Sequence, residues 1–328
     1  MKIPKKVIET LKRQHYALCG NTSAVQICRW NKKSLLDSGC CYKEKFYGIK
    51  SYECCQMSPC VMWCHNRCKH CWRAIEYNLG KKLNKNQVDK PEKIIKECIQ
   101  AQKKLLSGFK GNKKINMGKW IAAQVPKHFA ISLSGEPTIY PYLSELIREL
   151  RKQKKTTFLV TNGLNPRVLL KLEKEDALPT QLYISFNTPN KKMYDEWHNS
   201  LEKNAWKKYN QSLEIIKKLA KKKKRTVLRM TLVKNLNMKK EHVKEYAKLI
   251  KKASPMFVEA KGYMSVGYAR QRLGYETMPF HKEIREFSKL LAKELKSSGY
   301  KILDEKIESR IVLIGKDKKD MKIKSNEI

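Results

Sequence analysis

The sequence predicts an α/β fold, a partial (β/α)6 barrel entered through an N-terminal Cys-rich segment. Three observations carry that expectation: strand-length apolar runs alternate with helix-length amphipathic stretches, ten of the 11 cysteines lie between Cys19 and Cys71, and polar residues gather just beyond the strand ends. Alternation of this kind packs as a parallel sheet with helices outside it, and a site then forms at the carboxyl ends of the strands.

In chain order, residues 1–59 are mixed and show no long helical or strand period, so a bound metal is expected to organise what a small core cannot. Strands are predicted at Val61–Trp63, His128–Leu133, Thr157–Val160, Leu182–Phe186, Val227–Val233 and Phe257–Ala260. Helices are predicted at Glu92–Leu106, Tyr142–Lys152, Leu213–Ala220 and Ile284–Leu295, where apolar residues recur at i, i+3 and i+4. The strand-end polar groups are Ser134 to Thr138, Thr161-Asn162-Gly163, Ser185 with Asn187, Arg229 with Thr231, and Gly262-Tyr263. Steps from Ser134 to Thr161, Phe186, Met230 and Tyr263 are 27, 25, 44 and 33 residues, each near one βα unit.

A doubly wound flavodoxin-like sheet ranks second, because the first loop carries cysteines where that fold has a glycine-rich phosphate loop. Residues 60–315 are expected to hold the barrel and its C-terminal elements, and residues 316–328 a polar tail that frays. The hydrophilic stretch Leu79–Lys90 reads as a mobile loop, and the basic run Lys221–Arg225 as a solvated surface facing away from the site.

With 71 Lys+Arg against 31 Asp+Glu, the 328-residue chain has a formal net charge of +40, which makes a polyanion the first partner to consider. Its 41% hydrophobic content suffices for a core and excludes disorder throughout. No apolar run approaches the roughly 18 residues of a membrane span. The start, Met1-Lys2-Ile3-Pro4-Lys5-Lys6, lacks the apolar stretch of a secretory signal. A cytoplasmic protein without membrane contact is expected, and nothing in the pattern demands more than a monomer.

Cytosolic cysteine clusters point to metal before disulfide. Cys64, Cys68 and Cys71 form a C-x3-C-x2-C triplet with no fourth cysteine at matching spacing downstream. Structural zinc takes four ligands, whereas three thiolates suit three corners of a [4Fe–4S] cluster and leave one iron open. A zinc knuckle completed by His65 or His70 is the alternative. Upstream, Cys28, Cys41 and Cys54 repeat at 13-residue steps, with Cys40 and Cys55 beside two of them. If the three converge they form a second three-ligand site; otherwise they are buried small hydrophobes or one zinc site. Cys19, Cys60 and Cys98 receive no role.

The triplet resembles the cluster signature of the radical S-adenosylmethionine (radical-SAM) enzymes, with His70 where many members have an aromatic residue. The resemblance spans roughly residues 58–265. Gly135-Glu136-Pro137 looks like the family segment that contacts the SAM amino group; Thr161 and Asn162 end the next strand in the usual way, and Ser185, Asn187 and Arg229 stand where the family binds SAM's ribose or carboxylate. Taken alone, each of these is a common turn or an ion-paired strand residue. The resemblance implies a [4Fe–4S] cluster that cleaves SAM to a 5′-deoxyadenosyl radical.

The whole chain, upstream cysteines included, is similar to the archaeal tRNA 4-demethylwyosine synthase family. That similarity implies a second [4Fe–4S] cluster at Cys28, Cys41 and Cys54. It also implies N1-methylguanosine beside the anticodon of phenylalanine tRNA as substrate, and pyruvate as donor of two carbons with loss of its carboxyl carbon. Lys43 matches the lysine that forms a Schiff base with pyruvate in that family; by its residue type alone it reads as surface. Eukaryotic relatives carry a flavin-binding reductase portion for which this chain has no room, so an external electron donor is expected.

An RNA substrate agrees with the charge, and Tyr16, Trp30, Trp63 and Trp72 are candidates to stack on a splayed base. Two competing readings are another two-cluster radical-SAM enzyme, such as an RNA methylthiotransferase or a peptide-modifying enzyme, and a zinc-bound RNA-binding protein without catalysis.

Overall fold

A computed structural model describes residues 3–328; Met1 and Lys2, which open the stretch read as lacking a secretory signal, lie outside the described residues. Helix α1 (Lys5–Arg13) buries Val7, Thr10 and Leu11 and leads into the hairpin β1 (Ala17–Cys19) and β2 (Ser23–Gln26). Two short helices follow, α2 (Arg29–Leu35) and α3 (Tyr42–Tyr47). Each opens on a cysteine whose sulfur accepts a backbone N–H, Cys28 from Asn31 and Cys41 from Lys43. Strand β3 is Cys54–Ser58.

Beyond it run α4 (Pro91–Ser107), α5 (Met117–Ala123), β4 (His128–Ile131), α6 (Leu143–Lys152), β5 (Thr156–Thr161), α7 (Pro166–Lys174) and β6 (Gln181–Ser185). Next come α8 (Lys191–His198), α9 (Ala205–Lys221), β7 (Thr226–Leu232), α10 (Val243–Ala253) and β8 (Phe257–Gly262). Helix α11 (His281–Leu295) and the pair β9 (Lys301–Lys306) and β10 (Ile311–Gly315) end the fold. The longer helices follow the sequence pattern: α4 starts on Pro91 with Glu92 in its first turn, and it buries Ile94, Ile95, Cys98, Gln102 and Leu106 along one side.

Strands β3 to β8 pair in parallel, in chain order, and make the predicted six-stranded partial barrel. Antiparallel strands β2 and β1 extend one edge, β10 and β9 the other. None of these four is among the predicted strands. A second correction concerns the first parallel strand, which is Cys54–Ser58 and not Val61–Trp63. Val61, Met62 and Trp63 are buried, but Met62 has φ 72 and the segment is a loop: the apolar run reports burial, not extension.

Period-2 alternation gives the sheet two apolar faces. Leu159, Leu182, Ile184, Leu228, Met230, Val258 and Ala260 join the core under the helices. Phe158, Tyr183, Val227, Phe257 and Leu313 point into the barrel, where they close on Tyr42, Phe46 and Tyr47 of α3. The Cys-rich segment therefore plugs the barrel, and each fully buried aromatic of that plug contributes about 1.5–3 kcal/mol.

The C-terminal tail does not fray. Arg225, expected on a solvated surface, is buried and donates to the carbonyls of Asp320 (2.8 Å) and Met321 (2.7 Å), while Ile323 N donates to Tyr47 O at 3.1 Å. The preceding lysines, Lys221 to Lys224, are exposed as expected. Among the described residues, no helix is long and apolar enough to cross a membrane.

Candidate active site

The loop after β3 carries the first cysteine triplet and is held from several sides. Cys64 N donates to Gly80 O (2.9 Å) and Leu79 N to Met62 O (3.0 Å), so the Leu79–Lys90 stretch is pinned at its start. Gly135 sits at φ +74, and a Cβ there would lie 2.1 Å from Cys60 O and 2.7 Å from Trp63 O; only glycine permits this approach. From the far side Arg272 donates to the carbonyls of Lys69 (3.2 Å), Cys71 and Arg73. Arg73 in turn holds the carbonyls of Ser132 and Leu133 at the end of β4.

The three thiols influence one another. Burial, then Glu136, pushes Cys64 up to about 12, and burial with Cys64 and Cys71 nearby raises Cys68 well above the thiol range. Such thiols ionise when iron takes the proton's place. Around them Tyr16 Oη, Tyr194 Oη and both side-chain polar atoms of Asn66 are buried without a partner. Tyr16 lies by Cys71, and Tyr194 and Asn66 by Cys68. Unpaired donors in a sulfur-lined site fit a [4Fe–4S] group, whose sulfides accept hydrogen bonds.

Four of the expected SAM-contacting residues, Gly135, Glu136, Thr161 and Asn162, converge here. The buried Glu136 carboxylate accepts from Thr138 N (3.1 Å), Thr138 Oγ1 (2.7 Å), Thr161 Oγ1 (2.6 Å) and Asn162 N (2.7 Å). Its first task is thus to tie the ends of β4 and β5 together. Asn162 Nδ2 reaches 3.8 Å from Cys64 Sγ. Asn187 accepts from Thr231 N at 2.8 Å and its amide stands 3.3 Å from His70 Nε2. Burial pushes His70 down to about 3, and Trp197 Nε1 donates to its Nδ1 at 2.6 Å.

Ser185 and Arg229, paired in register on β6 and β7, separate from that group. Strand alternation turns Arg229 into the barrel, where its Nε is 3.7 Å from Glu259 and its guanidinium stands over Tyr42 at 5.8 Å. Arg229 therefore keeps company with the second triplet.

The three cysteines of the second set lie where the plug meets the sheet. Cys28 and Cys41 begin α2 and α3; Cys54 begins β3, in register with His128 at the start of β4. Burial raises all three thiols, Cys41 to about 11, with Cys28 as the next cause for both Cys41 and Cys54. Cys55 faces the other side of β3, in the outer core with Cys19 and Cys98. Asn31 Oδ1 and Gln102 Oε1 are buried without partners, while both side-chain amides donate to Cys54 O, at 3.1 and 3.5 Å.

Lys43 projects into the barrel, 7% exposed, with its Nζ 4.3 Å from the Phe158 ring centre and 5.0 Å from that of Tyr183. Among the described residues no carboxylate forms an ion pair with it. Burial, then Arg229, lowers its pKa, while Cys41 and Cys54 act in the other direction. Glu259, fully buried, accepts from Tyr47 Oη (2.6 Å) and Tyr42 Oη (3.0 Å). Lys261, lowered to about 8 by burial and then Arg229, donates to Ser309 O at 2.9 Å.

Sequence reasoning passed over Glu259 and Lys261, although charges two apart inside an apolar run, Phe257-Val258-Glu259-Ala260-Lys261, do signal a polar inward face. The first triplet follows the carboxyl end of β3 and the second sits at the amino ends of β3 and β4. The barrel interior with Lys43 lies between. Of the four candidate stacking aromatics, Tyr16 and Trp63 are core; Trp72 is partly buried under Arg73 at 4.9 Å. Trp30 is half-buried, with Arg29, Lys33 and Lys306 within 5.9 Å of its ring.

Residues 59–250 match the Radical SAM superfamily, and residues 252–316 match the family described as wyosine base formation. An S-adenosyl-L-methionine-dependent tRNA 4-demethylwyosine synthase of Pyrococcus abyssi is 48% identical over 318 residues, 97% of this chain and 91% of the relative. The chain belongs to the tRNA 4-demethylwyosine synthases. The Methanocaldococcus jannaschii synthase is 36% identical over 95% of this chain and 96% of its own. A solved structure, described as TYW1 with a lysine-pyruvate adduct bound, superposes with a TM-score of 0.84 at 34% identity, covering 99% of both chains.

As a radical-SAM 4-demethylwyosine synthase, the protein uses SAM and a [4Fe–4S] cluster and modifies tRNA. The partial barrel is the fold of that superfamily. Strands β9 and β10 both fall within the stretch that matches wyosine base formation and extend the sheet past its sixth parallel strand.

Proposed function

We propose that this synthase joins two carbons of pyruvate to N1-methylguanosine beside the anticodon of phenylalanine tRNA, with Lys43 as the amine that carries pyruvate. Cys64, Cys68 and Cys71 hold the SAM cluster, and Cys28, Cys41 and Cys54 hold a second [4Fe–4S] cluster. The observation that carries this reading is Lys43 itself, a buried amine against Phe158 and Tyr183, two residues after Cys41 and without a carboxylate partner. The lysine-pyruvate adduct in the 34% identical TYW1 structure supports a lysine in this role.

When bound, the first cluster supplies the electron that cleaves SAM to methionine and the 5′-deoxyadenosyl radical, which abstracts hydrogen from the substrate. Gly135, Glu136, Thr161 and Asn162 border Cys64 and orient SAM there, with Asn187 and Ser185 further along the strand ends. Lys43, kept partly desolvated by Phe158 and Tyr183, attacks the keto carbon of pyruvate as the free amine; water leaves and an imine forms. Arg229 and Lys261 supply positive charge for the pyruvate carboxylate beside the second triplet. Hydrogen abstraction leaves a carbon radical on the N1-methyl group of the guanosine, which bonds the imine carbon. The bond to the carboxyl carbon then breaks, that carbon leaves as CO2 and gives back the electron spent on SAM, and the guanine amine displaces Lys43 as the third ring closes. The electron for SAM cleavage comes from a donor outside the chain, and the enzyme works as a cytoplasmic monomer.

Two variants test this division of labour in reconstituted enzyme. Lys43→Ala is expected to keep SAM cleavage, read as 5′-deoxyadenosine, and to make no tricyclic nucleoside. Cys64→Ala is expected to lose both. Wild-type yield of tricyclic nucleoside from Lys43→Ala removes that lysine from the chemistry, and retained SAM cleavage in Cys64→Ala removes the triplet.

A further inference from the structure

The flank of the first triplet that faces away from the barrel is closed by the end of α8 and the segment after it. Arg67 N donates to His198 O (2.9 Å), Lys69 N to Trp197 O (3.1 Å) and Leu201 N to His65 O (2.7 Å), and Asn66 bridges to Ser200. This strap carries one polar side chain to a ligand sulfur: His198 Nδ1 lies 3.0 Å from Cys68 Sγ. Other donors to these sulfurs are longer. Asn66 N reaches Cys64 at 3.5 Å, Asn162 Nδ2 reaches it at 3.8 Å, and Arg73 reaches Cys71 at 3.9 Å. The imidazole is 4% exposed, packed against the Tyr194 ring at 4.4 Å and edge-on to His70 at 6.0 Å, so its orientation is fixed.

We propose that His198 is a positioning residue which donates its Nδ1 hydrogen to the Cys68 sulfur and raises the reduction potential of the SAM cluster. The inference rests on reading Cys64, Cys68 and Cys71 as the cluster ligands. A ligating thiolate has no hydrogen to give, so the contact exists as a hydrogen bond with the proton on Nδ1. Reduction places one more electron on the cluster and makes its sulfurs better acceptors, so a short donor stabilises the reduced form more than the oxidised one. Burial of the imidazole keeps that difference from being fully screened. At a given potential of the external donor, more of the enzyme then stands ready to cleave SAM.

The test is an EPR-monitored redox titration of reconstituted enzyme, following the reduced-cluster signal that shifts when SAM is added. His198→Phe keeps the ring packed on Tyr194 and deletes the donor; His198→Asn puts an amide near the place of Nδ1. At fixed potential His198→Phe is expected to lower the reduced-to-oxidised ratio about tenfold, which for a one-electron couple is about 59 mV. His198→Asn is expected to titrate close to wild type. Equal titration of His198→Phe and wild type, at equal iron content, overturns the proposal.

Should His198→Phe take up no cluster, the decision passes to wild type grown on 15N-histidine. A 15N hyperfine coupling to the reduced cluster that disappears in His198→Asn supports the hydrogen bond, and no coupling in wild type overturns it. A wild-type enzyme with no SAM-shifted signal instead overturns the triplet as the cluster site.

Discussion

Inside the barrel Glu259 pairs with Arg229 at 3.7 Å and lies near Lys261, and two tyrosine hydroxyls complete its shell. Removing a carboxylate from such a group leaves buried cations uncompensated. Glu259→Ala is therefore expected to destabilise the protein by about 3–5 kcal/mol, with Glu259→Gln losing less because the tyrosine hydroxyls keep an acceptor. Urea unfolding of both variants checks this, and a loss under about 1 kcal/mol for the alanine variant would contradict it. The legibility of these residues in the sequence follows from how local their signal is. Cys64, Cys68 and Cys71 stand out because all three fall within eight residues. Lys43 is one lysine among many, and its expected role came from family resemblance; burial in the barrel is what distinguishes it physically. His198 and Arg272 reach the triplet from 130 and 201 residues away along the chain, and no local pattern marks them.

Elements with two apolar faces were the readable ones. Strands β4 to β8 lie between helices and barrel interior, so their apolar runs are nearly continuous, as buried parallel strands require. β3, with the sequence Cys54-Cys55-Gln56-Met57-Ser58, turns small and polar residues into the barrel and reads as a loop. β9, Lys301–Lys306, is an edge strand, and its charges hide its pairing. The tail was misread for a related reason: its polar side chains face water, while backbone carbonyls hold it. Arg225→Leu removes the donors to Asp320 O and Met321 O, bonds worth about 1.5–3 kcal/mol each for a charged group. The expected result is rapid hydrogen exchange and proteolytic trimming within residues 316–328. Unchanged protection in that variant would show that Met321 and Ile323 hold the tail by packing alone.

At the scale of the whole molecule, a formal charge of +40 on a tRNA-modifying enzyme makes phosphate attraction the expected first contact. For about 6–10 phosphate contacts, affinity for tRNA is expected to fall about 10³–10⁵-fold between roughly 50 and 200 mM salt. Fluorescence anisotropy with end-labelled tRNA measures the slope, and a flat dependence would contradict electrostatic docking. The most direct test of the central claim is nucleoside mass spectrometry after anaerobic incubation of the reconstituted enzyme with SAM, reductant and tRNA bearing N1-methylguanosine. Parallel reactions contain no pyruvate, pyruvate labelled with 13C at the carboxyl carbon, or pyruvate labelled at the other two carbons. The account predicts a pyruvate-dependent tricyclic guanosine that takes up both carbons of the doubly labelled pyruvate and none from the carboxyl-labelled one. Formation of 5′-deoxyadenosine with no such nucleoside, or a tricyclic product free of pyruvate label, would contradict it.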